Sequence, residues 1–216
     1  MDVTSLRGAR DRVASEHGPW VAYNIHLGHG VYTMGNDHVG TGEFLVHAIV
    51  QAVADLASKP LSELRILDLA CHEGGYAIEF GLHGATVVGI EGRPANIQKA
   101  RFAAEALGLD RVRFQDGDVR DLSEEALGQF DIVLCLGILY HLEAEHAVRL
   151  IERCHALCTE MTVVRTAVGL SPNSTTSIGG RTYRGRRYRE DTRRRGAALD
   201  TPVSILPPHP SLLNPA

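Results

Sequence analysis

The run Arg65-Ile66-Leu67-Asp68-Leu69-Ala70-Cys71-His72-Glu73-Gly74-Gly75-Tyr76 constrains this chain more than any other stretch. Apolar residues surround an acid, small residues and two glycines follow, and an amphipathic segment then begins (Tyr76, Ile78, Phe80, Leu82). That order predicts a buried strand, a tight turn and a helix, the opening unit of a nucleotide-binding α/β domain. Glycine lets the backbone approach a ligand where a Cβ would collide, and a helix start offers unpaired N–H groups. A second apolar run over 85–90 ends in Glu91, seventeen residues beyond Gly74. An acid there can cap the following helix, but directly after the second strand it also suits two ribose hydroxyls. The expected ligand carries a ribose.

The turn does not supply G-x-G-x-x-G, so a dinucleotide pyrophosphate finds no cradle. Further along, Val112-Arg113-Phe114-Gln115-Asp116-Gly117-Asp118-Val119 reads as a short strand closing on an acidic turn. Phe130-Asp131-Ile132-Val133-Leu134-Cys135-Leu136-Gly137-Ile138-Leu139-Tyr140-His141-Leu142 reads as a fourth strand running into a loop. With these four motifs in this order, residues 43–170 resemble the class I S-adenosylmethionine-dependent methyltransferases. The resemblance implies S-adenosyl-L-methionine as cofactor. It implies contacts from Asp68, Ala70, Cys71 and Gly74 in the turn, with Gly74 and its neighbours seating the methionine moiety. Glu91 and Gly92 would serve the ribose, with Leu136 lining the site. Asp118 would take the adenine amino group and the Val119 N–H a ring nitrogen, while Asp116 is expected in solvent. Tyr140 and His141 would border the transferable methyl.

Within that family, D-L-A-C-x-E-G-G paired with C-L-G-I-L-Y-H looks closest to small bacterial enzymes. The G-x-L-Y-H pattern also occurs in the tRNA wobble-uridine carboxymethyltransferase. The chain departs from the family turn, acidic-x-Gly-x-Gly-x-Gly, by placing Ala70 and His72 at the first two glycine positions. Ala70 is mild if its φ is negative, whereas a positive φ at His72 would cost about 1 kcal/mol or more. The retained Glu91 and Asp118 favour a functional cofactor site over a degenerate one.

At 216 residues the chain is long enough for one domain with a substantial core. Its net charge of −4 offers no global attraction to nucleic acid or to an anionic membrane. No apolar run approaches the ~20 residues of a membrane span, and 1–18 has no apolar signal core. Cys71, Cys135, Cys154 and Cys158 lie in apolar or helical surroundings, as reduced thiols of a cytoplasmic protein would.

Three segments are expected: an N-terminal helix and lid over 1–42, the methyltransferase core over 43–170, and an Arg- and Pro-rich extension over 171–216. Helices are predicted over 3–17, 43–58, 95–107 and 143–157, with strands at 85–90, 112–114, 132–136 and 159–165. Residues 20–34 read as a hairpin or lid. Alternating strands and helices imply a Rossmann-like, doubly wound, mostly parallel sheet of order 3-2-1-4-5, with the ligand at the strands' carboxyl ends. In the last fifty residues only Val203-Ser204-Ile205-Leu206 offers strand material, so the closing strands look incomplete. An open edge beside the fifth strand would invite a partner, a second copy included.

His141 sits where a neutral imidazole could take a proton from the acceptor; it could equally position the acceptor or shape the loop. Trp20, Tyr23 and Tyr32 are candidate walls of the acceptor site. His26, His29 and His38 form the densest histidine group, but without a nearby cysteine or a regular ligand spacing a turn role is favoured over a metal, and no metal ligand is assigned. The stretch from Arg181 to Arg195 interleaves arginines with Tyr183 and Tyr188. RNA binding stays open there, though a solvated hairpin or a carboxylate clamp is favoured. The reading is methyl transfer to a small-molecule acceptor; an RNA methyltransferase and a non-catalytic partner subunit are the alternatives.

Overall fold

The computed structural model describes residues 2–35, 41–167, 174–187 and 210–215. Helix α1 (Val3–His17) starts where the Asp2 carboxylate accepts the N–H groups of Thr4 and Ser5, each at 3.0 Å, and stops at Gly18. These are the expected capping devices, an acid at the N-cap and a glycine just past the end. Residues 20–34 form a short hairpin-like loop, with a bridge between His26 and Tyr32 and with Leu27 and Val31 buried beneath it. Helix α2 (Thr41–Leu56) follows, beginning two residues before the expected start.

The core alternates strands and helices: β1 (Arg65–Leu69), α3 (Gly75–Leu82), β2 (Thr86–Glu91), α4 (Pro94–Ala106), β3 (Val112–Asp116), the single-turn α5 (Glu124–Leu127), β4 (Phe130–Leu136), α6 (Ala144–Leu157) and β5 (Cys158–Arg165). The five strands are parallel, in the order β3-β2-β1-β4-β5. Central strands buried on both sides read as continuous apolar runs, which is why β1 and β4 stood out in the sequence. Their side chains divide by parity. Ile66, Ile132 and Leu134 join the core made with α1 to α4, whereas Leu67, Leu69, Val133 and Cys135 join the one made with α6.

Register brings the strand ends together, with Asp68 opposite Gly89 of β2 and Leu134 of β4, and Leu136 opposite Arg165 of β5. Gly89 has no room for a side chain, since a Cβ there would lie 2.7 Å from the Phe114 ring and 2.8 Å from the Cys71 sulfur. The turn after β1 is thereby packed directly onto the second strand.

The C-terminal expectation needs correction. Strands β6 (Ser174–Ile178), β7 (Arg181–Arg187) and β8 (Pro210–Pro215) form a separate antiparallel sheet in the order β6-β7-β8. Gly179 and Gly180, both with positive φ, make the two-residue hairpin loop between the first two. Ser and Thr in β6 and Arg in β7 give no apolar alternation, so no strand periodicity marks these two. Val203-Ser204-Ile205-Leu206 lies outside the described residues, as does the rest of the arginine stretch beyond Arg187. Among the described residues nothing extends the parallel sheet beyond β5, which leaves that edge without closing strands. The small sheet instead lies beside α6, and β8 also approaches the 3-10 turn Leu139–His141.

Candidate functional site

At the carboxyl end of β1, the Asp68 side chain is carried into the interior, 1% exposed. The Ala77 N–H at the start of α3 bonds its carboxyl, yet Oδ2 has no partner. Burial raises the Asp68 pKa to about 8, so the group holds its proton at neutral pH.

The following turn winds through three left-handed residues, Ala70 (φ 53), His72 (φ 54) and Gly74 (φ 83). The condition under which Ala70 would be mild, a negative φ, is not met, and His72 takes the costly positive φ as well. Two L-residues in this region cost about 1–2 kcal/mol each. Several hydrogen bonds oppose that strain. Cys71 N–H donates to the Ile90 carbonyl at 3.0 Å, Gly74 N–H to the Cys71 carbonyl at 2.9 Å, and His72 N–H to Glu91 Oε2 at 3.0 Å.

The strongest anchor is Glu73, whose role the sequence reading did not assign. It is fully buried, and its carboxylate accepts from Lys99 Nζ at 2.6 Å, from Val21 N–H at 3.0 and 3.1 Å, and from Ala22 N–H at 2.9 Å. Lys99, also buried, donates in addition to the Pro19 carbonyl at 3.0 Å. A signal for the pair exists in the sequence, because Lys99 falls at helical spacing with Asn96 and Ala103 on the buried face of α4. A lysine on such a face calls for a buried acid.

Glu91, at the tip of β2, is buried, and Oε1 accepts from Arg93 N–H at 3.0 Å and Asn96 Nδ2 at 3.4 Å. Its neighbour Gly92 is exposed, and a Cβ there would lie 3.6 Å from the Gly117 carbonyl, so the two strand-end turns approach closely. Asp118 caps the 3-10 turn Val119–Asp121 and is clasped by Arg120, whose Nε lies 2.9 Å from both carboxylate oxygens. The Arg120 guanidinium holds the Asp118 carboxyl below its ordinary range. Val119 is buried beneath the turn, and Asp116 is exposed beside Glu91 in the β2–β3 register.

The three candidate aromatic walls separate. Tyr23 lies flat against the glycine turn, since a Cβ at Gly75 would meet its ring at 2.3 Å, and it meets the Tyr76 ring edge-on at 5.8 Å. Burial pushes both phenols up. Trp20 instead packs against Phe102 of α4, with ring centres 5.9 Å apart, and Tyr32 stacks on His26 at 4.6 Å. His26 Nε2 also accepts the Gly30 N–H at 3.2 Å, a turn-shaping role. No metal-holding group of His, Cys, Asp and Glu occurs among the described residues, and His38 lies outside them.

After β4, Gly137 (φ 86) turns the chain into the Leu139–His141 turn, where the Tyr140 and His141 rings are 4.4 Å apart. A Cβ on Gly137 would lie 3.2 Å from the Tyr140 hydroxyl and 3.5 Å from Arg165 Nη1. Asp68, the turn, Glu91, Leu136, Tyr140 and Arg165 are thus gathered at the carboxyl ends of β1, β2, β4 and β5. The unpartnered Asp68 Oδ2 leaves a hydrogen-bonding atom for a ligand, and the strand-tip Glu91 carboxylate suits ribose hydroxyls.

A parallel sheet of this order with an acid-tipped second strand is common to several ribose-binding α/β domains, and among them this chain is similar to the class I S-adenosylmethionine-dependent methyltransferases. Residues 66–160 match the methyltransferase domain family. The chain is 40% identical over 88 residues to the 23S rRNA (uracil(1939)-C(5))-methyltransferase RlmD of Shewanella halifaxensis, covering 40% of this chain and 19% of that protein. To its counterpart in Shewanella piezotolerans it is 32% identical over 124 residues, covering 56% and 27%. The chain therefore spans about a fifth to a quarter of the length of these curated relatives. Among solved structures, the N-terminal domain of EvdMO1, crystallised in the presence of SAH and D-fucose, superposes with a TM-score of 0.62 at 25% identity, over 89% of this chain and 78% of that one. The bifunctional kinase-methyltransferase WbdD shares the fold, with a TM-score of 0.54 at 24% identity over 69% of this chain and 33% of that one.

Two measurements test this anatomy. Lys99→Met should lower the unfolding free energy by about 3–5 kcal/mol in urea titrations, because it strands a buried carboxylate. Glu73→Gln combined with Lys99→Met should cost less than the two single changes summed. The Asp68 pKa lies above its ordinary 3.8, so the folded chain holds the extra proton between about pH 4 and pH 8. The Asp68 contribution to stability therefore falls as pH rises through that window. Asp68→Asn should flatten the decline in Tm between pH 5 and pH 8.

Proposed function

We propose that the chain transfers the methyl group of S-adenosylmethionine to a small-molecule acceptor. The carrying observation is the buried Asp68 Oδ2 without a partner, set in a left-handed turn beside the Glu91 carboxylate. When bound, the cofactor supplies a sulfonium methyl that is already strongly electrophilic. Asp68, with the backbone of Ala70, Cys71 and Gly74, holds the amino-acid end. Glu91 and Gly92 hold the ribose. The Val119 N–H and Asp118 take the adenine edge, with Asp118 sharing its oxygens between the base and Arg120. Tyr23 closes the turn from above, and Leu136 lines the floor.

Tyr140 and His141 border the acceptor. The His141 imidazole is the group placed to accept or orient the acceptor's proton, while alignment against the methyl supplies most of the rate. Support for a small acceptor comes from the EvdMO1 domain, matched over most of its own length and crystallised with SAH and D-fucose. The rRNA methyltransferases match over a small part of theirs, 19% and 27% of the two relatives.

Isothermal titration with S-adenosylhomocysteine should give a micromolar Kd, a binding free energy of about −7 to −8 kcal/mol. Glu91→Ala should weaken it at least tenfold, through loss of a charged acceptor to two hydroxyls. Equal affinity would remove Glu91 from the site, and absence of binding to the parent chain would favour a non-catalytic subunit. One observation favours RNA as the acceptor instead: Arg181, Arg184, Arg186 and Arg187 share strand β7 with Tyr183. Retardation assays at physiological salt should show no sequence-selective RNA complex; a selective complex whose affinity falls steeply with salt would promote the RNA reading.

A further inference from the structure

We propose that the methyl acceptor is a carboxylic acid and that Arg165 binds its carboxylate, an inference that rests on the small-molecule reading above. Arg165 is the last residue of β5 and pairs in register with Leu136, the last residue of β4. Its carbonyl accepts the Gly137 N–H at 2.8 Å, which ties the two strand ends together. The guanidinium extends over Gly137, where Nη1 and the Tyr140 hydroxyl flank the same point at 3.5 and 3.2 Å. Gly137 leaves that point open, because any side chain there would press on both groups and would need an L-residue at φ 86.

The charge of Arg165 is felt across the mouth of the site, where it pulls down the Tyr23 and Tyr76 hydroxyls against the opposite effect of their burial. Arg10, Arg120 and Arg149 each pair with an acid, Asp11, Asp118 and Glu145. Arg65, Arg101 and Arg111 donate to backbone carbonyls. Arg165 has no hydrogen-bond acceptor or acid on its guanidinium among the described residues, and it is exposed to solvent. Asp68, across the site, is governed by burial, with Arg165 absent from the influences on it.

A planar, always-charged fork beside phenol hydroxyls recognises a carboxylate through two parallel N–H···O bonds. The half-buried Tyr140 ring offers an apolar surface to the rest of such a molecule. A carboxylate held there would fix the acceptor's nucleophile beside the end of β4, next to His141. That placement gives Arg165 the role of choosing the acceptor and leaves the cofactor to Asp68 and Glu91.

The test uses the full chain saturated with S-adenosylhomocysteine and two isosteric probes, benzoate and benzamide, followed by ligand-observed NMR titration. Benzoate should bind at least tenfold more tightly than benzamide. Arg165→Gln should abolish that preference and leave S-adenosylhomocysteine affinity within twofold of the parent chain. Equal binding of the two probes, or binding of neither, would overturn the proposal. A tenfold loss of S-adenosylhomocysteine affinity in Arg165→Gln would also overturn it, assigning the guanidinium to the cofactor's own carboxylate. Failure of the parent chain to bind S-adenosylhomocysteine is a separate result that removes the underlying methyltransferase reading.

Discussion

The buried contact between Glu73 and Lys99 is the interaction on which the rest of the site depends. Taking a carboxylate and an ammonium out of water costs several kcal/mol per ion, and the pair is tolerable only when other hydrogen bonds satisfy the remaining lone pairs. Val21 and Ala22 supply those bonds to Glu73, and the Pro19 carbonyl takes one from Lys99. The N-terminal segment is thereby fastened to the turn after β1 and to helix α4 at one point. Once fastened, it brings the Tyr23 ring onto Gly75, where no side chain could fit.

That fastening explains how a turn without two of its family glycines keeps its path. Ala70 and His72 are held left-handed by the bonds of Cys71 to Ile90, of His72 to Glu91 and of Glu73 to the N-terminal segment. Local strain of this kind survives only where the surroundings over-determine it. The same bond makes the candidate ribose acid part of the turn, so the two halves of the proposed cofactor site are mechanically one unit.

The acids of the site are set apart by their surroundings. Asp68 is buried with an idle oxygen and holds a proton, whereas Asp118 is drawn below its ordinary range by Arg120. Two carboxyls about one ligand can therefore meet it in opposite protonation states. Arg165 adds a positive charge with no paired acid among the described residues at the far wall, opposite the end of β4. The polarity of the mouth runs from acid on the β1–β2 side to base on the β5 side.

The strands of the parallel sheet were legible because buried central strands are continuous apolar runs and parallel connections need helices, while their order 3-2-1-4-5 came with the family resemblance. Glu91 could be placed at the end of the second strand because a strand's end fixes where its last residue lies, whereas Asp118 was singled out by the family resemblance. Strands β6 and β7 were not, because Ser174–Ile178 and Arg181–Arg187 carry no apolar alternation; only the Gly179-Gly180 pair marked their turn. Glu73 and Lys99 stand 26 positions apart, and Arg165 and Tyr140 lie on different elements, so their meeting is a product of packing. The sequence by itself determined the fold and the strand-end acids, which depend on periodicity and local chain geometry. Only the tertiary structure decided which charges are paired and which carboxyl is neutral, because these depend on burial and long-range contact.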